Sequence, residues 1–350
     1  MEKLEIVKNL IRNRRSGSGP DYRDAVAVLL FIFLLPYIVS FFFGNAGMEA
    51  KEGETADVQG GERQEQGWDE EPELFREDME KAEFIVCNKT AAGTEMMPLE
   101  TYLVSRLPST IPMEYEKEAL KAQAVVLRTE MMRLYYDNRE EGEDGKAYIY
   151  VESSMAQTDG DTYRKCVDVV RDTKGMYLTY EGIPINAPYF AVSAGATRNG
   201  NEVLGSKDYG YLKSVVCGRD FTSEDYVHSE RVNKEIFLER LREFRPDTVW
   251  EEGVSIEKAF PITRDRAGYV LEIGMGEDAI SGELFRTAFM LNSSCFELRE
   301  EGGYVVIKTK GVGHGLGLCQ YGANEAAKKG SDFIDILNYF FSEIVIEKTE

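Results

Sequence analysis

Apolar residues fall at Leu120, Ala124, Leu127, Met131 and Leu134, a spacing of four, three, four and three that lays one apolar stripe along a helix. Pro112 fixes the backbone just upstream, and Glu114, Glu116 and Glu118 fall at the helix start, where negative charge meets the positive end of the helix dipole. The pattern predicts a helix over 117–136, preceded by a strand or turn from Met97 and by a loop holding Pro108 and Pro112.

Around this helix the pattern is mixed. Residues 84–90 read as a strand, and 147–153 alternate as a second. Between them, 138–146 form a charged surface loop. Residues 161–175 read as a helix closed by Gly175, and 176–197 as two strands joined by a turn at 181–184. A helix is expected over 229–244, ending before Pro246. Short strands are then expected within 268–276, 283–291, 295–300 and 302–311. Near the carboxy terminus, Gly330 stops one helix, and Ser331 with Asp332 starts the next. Helices and strands without regular βαβ alternation predict an α+β fold, a lobed domain over 84–350.

Two stretches before that domain follow other rules. Residues 25–43 run nineteen positions without a charge, behind a tail (1–24) carrying Lys3, Lys8, Arg12, Arg14, Arg15 and Arg23. That length spans a bilayer as one helix, and the basic side stays in the cytoplasm. The expectation is a single-pass cell-membrane anchor with the main domain extracytoplasmic; a cleaved signal peptide is the alternative. Residues 44–83 are acidic, with several Gly and Gln and little apolar periodicity, and read as an extended flexible linker.

Composition narrows the chemistry. The chain has 350 residues and a net charge of -21, which argues against a nucleic-acid partner. Five cysteines (Cys87, Cys166, Cys217, Cys295 and Cys319) are scattered without a C-x-x-C pair, and are expected to be mostly free and buried. Cys217 and His228 lie eleven apart, with Cys319 or His314 as outside donors. A metal site needs three or four ligands at recognisable spacing, so neither metal nor cofactor is expected.

Two motifs carry a resemblance: EALKAQAVVLRT at 118–129 and GVGHGLGLCQYGA at 311–323. With ISGELFRTAFML at 280–291 and the stretch 189–215 between them, the order from about 85 to 350 resembles the SpoIID/LytB family of sporulation proteins and amidase enhancers. The resemblance implies a glycan-binding cleft, cutting of peptidoglycan glycan strands by lytic transglycosylation, and work in engulfment beside a membrane protein and an amidase or endopeptidase.

Lytic transglycosylation needs a carboxylic acid to protonate the glycosidic oxygen, then a base to take the proton from the sugar hydroxyl that closes the anhydro ring. The family's glutamate position falls on Thr110, whose hydroxyl does not ionise usefully near neutral pH. Glu114 is the first candidate for a substitute acid, and whether the chain is an enzyme stays open. Glu100 is expected to be a surface or structural residue. His314, between Gly313 and Gly315, is a candidate cleft residue, and those glycines permit close backbone approach and positive φ. Gln320 and Tyr321 suit sugar recognition by amide hydrogen bonds and stacking. Arg128 and Arg198 are weaker candidates for holding substrate carboxylate or acetyl oxygens.

Overall fold

The computed structural model describes residues 79, 81–90, 93–139, 141–153 and 158–349. The basic tail, the expected anchor at 25–43 and most of the expected linker lie outside them. Among the described residues no helix is long and apolar enough to cross a membrane.

Strands β1 (Phe84–Thr90) and β2 (Gly93–Pro98) pair antiparallel, and helix α1 (Leu99–Arg106) follows at once. Part of the expected strand or turn after Met97 is therefore helix. Pro98 sets the entry, and Leu99, Tyr102, Leu103 and Val104 turn inward. A 3-10 turn (Leu107–Ser109) leads through the proline loop to α2 (Lys117–Asn138). Next come β3 (Ala147–Val151), parallel to β1, and α3 (Gly160–Asp172), capped by the Asp159 carboxylate on the N–H groups of Asp161 and Thr162.

Helix α2 is the centre of this half. Its expected stripe is there: Leu120, Ala124, Leu127 and Met131 are buried against Val86, Leu103, Val167 and Val170. A second face is buried as well. Ala119, Ala122, Val125 and Val126 join another core with Leu178, Phe190, Leu318 and Leu337. The alanines make this possible, because small side chains let neighbouring elements close on both sides of one helix.

After α3 the chain makes β4 (Met176–Tyr180), β5 (Ile183–Pro184), β6 (Tyr189–Phe190) and the short α4 (Gly200–Leu204). It then builds a second lobe. This holds β7 (Val227–Asn233), α5 (Lys234–Phe244), α6 (Ile256–Ala259), β8 (Ile262–Arg264), β9 (Val270–Met275), β10 (Asp278–Ser281), α7 (Gly282–Ala288), β11 (Phe296–Glu301) and β12 (Tyr304–Lys310). Two three-stranded sheets, β11-β12-β7 and β10-β9-β8, enclose an aromatic core of Phe237, Trp250, Phe260, Phe285, Phe289 and Phe296.

Two expectations fail in this lobe. The helix expected from 229 starts at Lys234, because residues 227–233 pair antiparallel with β12; the Asn233 side chain then caps α5 at the Glu235 N–H. The strand expected in 283–291 is helix α7. Ser281 caps it at the Leu284 N–H, and Phe285 and Phe289, four apart, stack at 4.4 Å between ring centroids. A four-residue aromatic spacing reads as helix once a cap precedes it.

The chain returns to the first half through β13 (Leu318–Cys319), parallel to β6, then α8 (Gln320–Ala327), α9 (Phe333–Phe340) and β14 (Val345–Lys348), antiparallel to β4. Asp332 caps α9 at the Asp335 N–H, as the sequence pattern suggested. The result is a mixed α+β molecule of short strands and helices.

Candidate functional site

Thr110 ends the 3-10 turn that follows α1. Its hydroxyl donates to the Leu107 carbonyl at 2.8 Å, and its N–H reaches the same oxygen at 3.0 Å. The side chain is thus engaged within its own turn. The Thr110 carbonyl accepts from Gln320 Nε2 at 2.6 Å, and that nitrogen also lies 3.1 Å from Gln123 Oε1 on α2. Thr110 and Gln320, 210 residues apart, are brought into contact. Gln123 is fully buried, and its Nε2 has no hydrogen-bond partner among the described residues.

The neighbours extend this corner. The Glu116 N–H donates to Asn324 Oδ1 on α8 at 2.9 Å. Tyr321 is half-buried, with its hydroxyl 2.9 Å from the Thr222 hydroxyl. Burial first, then the negative field of neighbours including Cys319 and Glu114, pushes the Tyr115 phenol up to about 12. Glu114 is exposed. Glu118 accepts the Phe333 N–H at 3.0 Å and Lys121 at 2.8 Å, so the first acid of α2 anchors the start of α9. Two cavities, of about 260 Å³ beside Arg264, Cys295 and Lys308 and about 380 Å³ along residues 141–144, border neither Thr110 nor Gln320.

The other sequence candidates sit elsewhere. Arg128 is fully buried and grips Glu100 with two nitrogens, at 2.8 and 2.6 Å, while a third reaches the Met176 carbonyl at 3.1 Å. Glu100 is buried too, so of the two roles considered for it the geometry selects the structural one. Arg198 is 2% exposed, pairs with Asp265 at 2.6 Å and Glu283 at 2.8 Å, and lies over the Tyr269 ring. Both guanidinium groups are thereby committed to buried carboxylates.

His314 is buried beside this second network. Its Nδ1 accepts the Leu316 N–H at 3.1 Å, it has a backbone hydrogen bond with Tyr189, and its ring lies 5.6 Å from that of Phe190. Burial pushes its pKa down to about 4, partly opposed by the Glu283 carboxylate, so the ring is neutral at pH 7. Glu283 is itself held below the usual carboxylate range: Arg286, Arg198 and the Ser294 hydroxyl outweigh its burial, the largest single influence. The flanking glycines are needed as expected. Gly313 and Gly315 have φ of +115° and +80°, and a Cβ at 315 would come within 2.7 Å of Tyr269 and 2.9 Å of Arg198.

The cysteines are free thiols, with Cys295 half-buried and the other four buried. The pairing of Cys217 with His228 is not formed, since the His228 ring meets the Asp225 carbonyl instead. Cys217 faces Cys319 and Asp220, with donor atoms all within 4.8 Å of one another.

Gln123, Asp220, Asp265 and Glu283 were missed by the sequence reading. Gln123 had a readable signal: a long polar side chain between Ala122 and Ala124 on an apolar helix. The acids had none, because charged residues are common and only tertiary contacts bury Asp220 and Asp265 and half-bury Glu283.

Residues 88–180 match the SpoIID family, described as stage II sporulation protein. Stage II sporulation protein D of Bacillus subtilis (strain 168) is 31% identical over 275 residues, covering 74% of this chain and 77% of that protein. The Bacillus amyloliquefaciens protein of the same name is 30% identical over 275 residues, 74% and 76% of the two chains. An uncharacterized protein of Brachyspira hyodysenteriae is 24% identical over 271 residues, 75% and 70% of the two. The matched segment holds α1, the Thr110 turn and α2, and the longer matches cover about three quarters of the chain; the chain belongs to the SpoIID family of stage II sporulation proteins.

Proposed function

We propose that the chain is a membrane-anchored peptidoglycan-remodelling protein of sporulation. In this reading it binds glycan strands at the corner formed by Thr110, Gln320 and Tyr321. It is weakened or inactive as a lytic transglycosylase and acts with partner hydrolases, an amidase or endopeptidase and a membrane protein of the engulfment machinery. The sporulation setting is carried over from the names of the relatives. The anchor and the extracytoplasmic placement rest on the charge-free run at 25–43.

The observation that carries the reading is the state of residue 110. Its hydroxyl donates to Leu107 within its own turn, and it has no proton of useful acidity to give a leaving glycosidic oxygen. Loss of a general acid lowers rate by on the order of 100- to 10,000-fold. In this reading the enclosed amides of Gln320 and Gln123 shape the corner from within, and the half-buried Tyr321 offers its ring to the sugar.

The test is digestion of purified glycan strands, with and without stem peptides, by the full chain and by Thr110→Glu, read by mass spectrometry for anhydro-muramic ends. Ends from Thr110→Glu alone support a site that lacks only its acid. Ends from the unaltered chain overturn the inactive reading, and Glu114→Gln then asks whether Glu114 supplies the acid. Silence from both, together with no binding of glycan and no stimulation of an amidase, overturns the glycan-binding reading.

A further inference from the structure

We propose that Cys217, Asp220 and Cys319 form a zinc site that ties the 217–220 turn to the start of α8. The inference is independent of the proposed function and of whether the chain cleaves glycan.

The three residues come from two distant segments. Cys217 and Asp220 are three apart on one tight turn, closed by the Asp220 N–H on the Cys217 carbonyl at 3.3 Å. Cys319 follows about a hundred residues later, at the junction of β13 and α8, where its sulfur accepts the Gly322 N–H at 3.5 Å. Cys319 Sγ lies 3.0 Å from Asp220 Oδ2, and all three donor atoms fall within 4.8 Å of one another. In a tetrahedral zinc site, with ligands at 2.0–2.3 Å from the metal, neighbouring donor atoms stand roughly 3.5–4 Å apart. The Cys319–Asp220 separation is somewhat under that size and no pair exceeds 4.8 Å, so small side-chain rotations reach it.

Burial makes the set unusual. Cys217 is 5% exposed, and Asp220 and Cys319 are fully buried. Two thiols and a carboxyl in apolar surroundings gain little from one another; around them lie Phe190, Leu212, Leu318 and Ala323.

A second observation points to a ligand. Asp220 Oδ2 is satisfied by the Ser193 N–H at 2.7 Å and by Cys319, but Oδ1 is buried with no partner among the described residues. Buried carboxylate oxygens are rarely left so. Gly322 keeps space beside it: a Cβ there would stand 3.5 Å from both Asp220 Oδ1 and Cys319 Sγ.

The donor set selects the metal. Two thiolates favour a soft or borderline cation over calcium or magnesium, and zinc takes mixed sulfur and carboxylate ligands in closed sites. A water or a backbone carbonyl completes four-coordination; the Val215 and Ala191 carbonyls lie 3.9 and 3.8 Å from the Cys217 and Cys319 sulfurs. On binding, both thiols release their protons to solvent, Asp220 binds as the carboxylate, and no electrons move. Cys319 immediately precedes Gln320, so the metal would also fix the residue that reaches Thr110.

The test uses the full chain purified without chelator and titrated with cobalt(II), then zinc. Expected are a thiolate-to-cobalt charge-transfer absorption and tetrahedral ligand-field bands, both lost when zinc displaces cobalt, and a zinc-dependent rise in Tm. Cys217→Ser and Cys319→Ser should lose the charge-transfer band, Asp220→Asn should weaken zinc binding at least about tenfold, and Cys295→Ser should keep it. Absence of the band and of any zinc-dependent rise in Tm in the unaltered chain overturns the proposal, as does a band that survives in folded Cys217→Ser or Cys319→Ser. Peptide mapping that recovers Cys217 and Cys319 as a disulfide in the native protein overturns it too. Should the cysteine variants fail to fold, the cobalt spectrum and zinc dependence of the unaltered chain decide alone.

Discussion

The Thr110 corner and the buried seam around Arg198 both draw on the motif at 311–323, yet they differ in kind. At the corner the contacts are neutral: a hydroxyl, two amides and a main-chain carbonyl. At the seam, Arg198, Asp265, Glu283 and Arg286 surround a neutral His314, and the contacts join the 193–200 stretch, the second lobe and the motif itself. The residues that look most like chemistry in the sequence, a histidine and an arginine, hold the lobes together. Thr110, by contrast, engages its hydroxyl within its own turn. Residues of one motif can therefore serve the fold even where their types suggest chemistry.

The largest expected effect sharpens this contrast. Arg198→Leu leaves Asp265 buried without its ion-pair partner and takes one of two guanidinium partners from Glu283, and should destabilise the protein by about 3–5 kcal/mol in urea unfolding. Arg128→Leu should cost a similar amount through Glu100, since that pair is equally enclosed. If Arg198→Leu unfolds as readily as a surface variant does, the seam is not holding the lobes.

Acid comes next. In the unfolded chain His314 takes up a proton near pH 6.5, whereas the fold refuses it until about 4. Stability from this source is full above 6.5, declines as pH falls, and is lost by about 4, a change of roughly 3 kcal/mol. The raised Asp220 carboxyl acts with the opposite sign, losing stability as pH rises. The comparison of wild type with His314→Asn separates the two: the variant should lack the decline between those values. An unchanged slope would mean the ring is not buried neutral.

At the neutral corner the costs should be smaller. Gln320→Ala leaves the Thr110 carbonyl and Gln123 without a donor, and should cost about 1–3 kcal/mol. Glu114→Gln should stay within about 0.5 kcal/mol, as for an exposed residue. A larger loss for Gln320→Ala than for Arg198→Leu would reverse the ranking of the two regions.

Much of the scaffold was legible in advance. The α2 stripe, the strand at 84–90, the Asp332 cap and the Gly313 and Gly315 turns follow from local rules, because periodicity, caps and positive φ are properties of short windows. Helix α7 and the strand at 227–233 were misread, since a four-residue aromatic spacing and a polar strand each depend on what packs opposite. At the site, Thr110 and Gln320 were identified, but their contact across 210 residues was not. Arg128 and Arg198 were named for substrate and proved to be enclosed ion pairs, because a lone arginine in sequence shows no partner.

The sequence by itself determined the family, the α+β mixture, the central helix and the absence of an acid at position 110. These are matters of residue identity and local spacing. Only the tertiary structure decided that α2 is buried on two faces, that His314 is enclosed and neutral, and that Cys217, Asp220 and Cys319 meet. Burial and long-range contact arise from the whole chain closing on itself, and they set both the pKa values and the partners that residue identity leaves open.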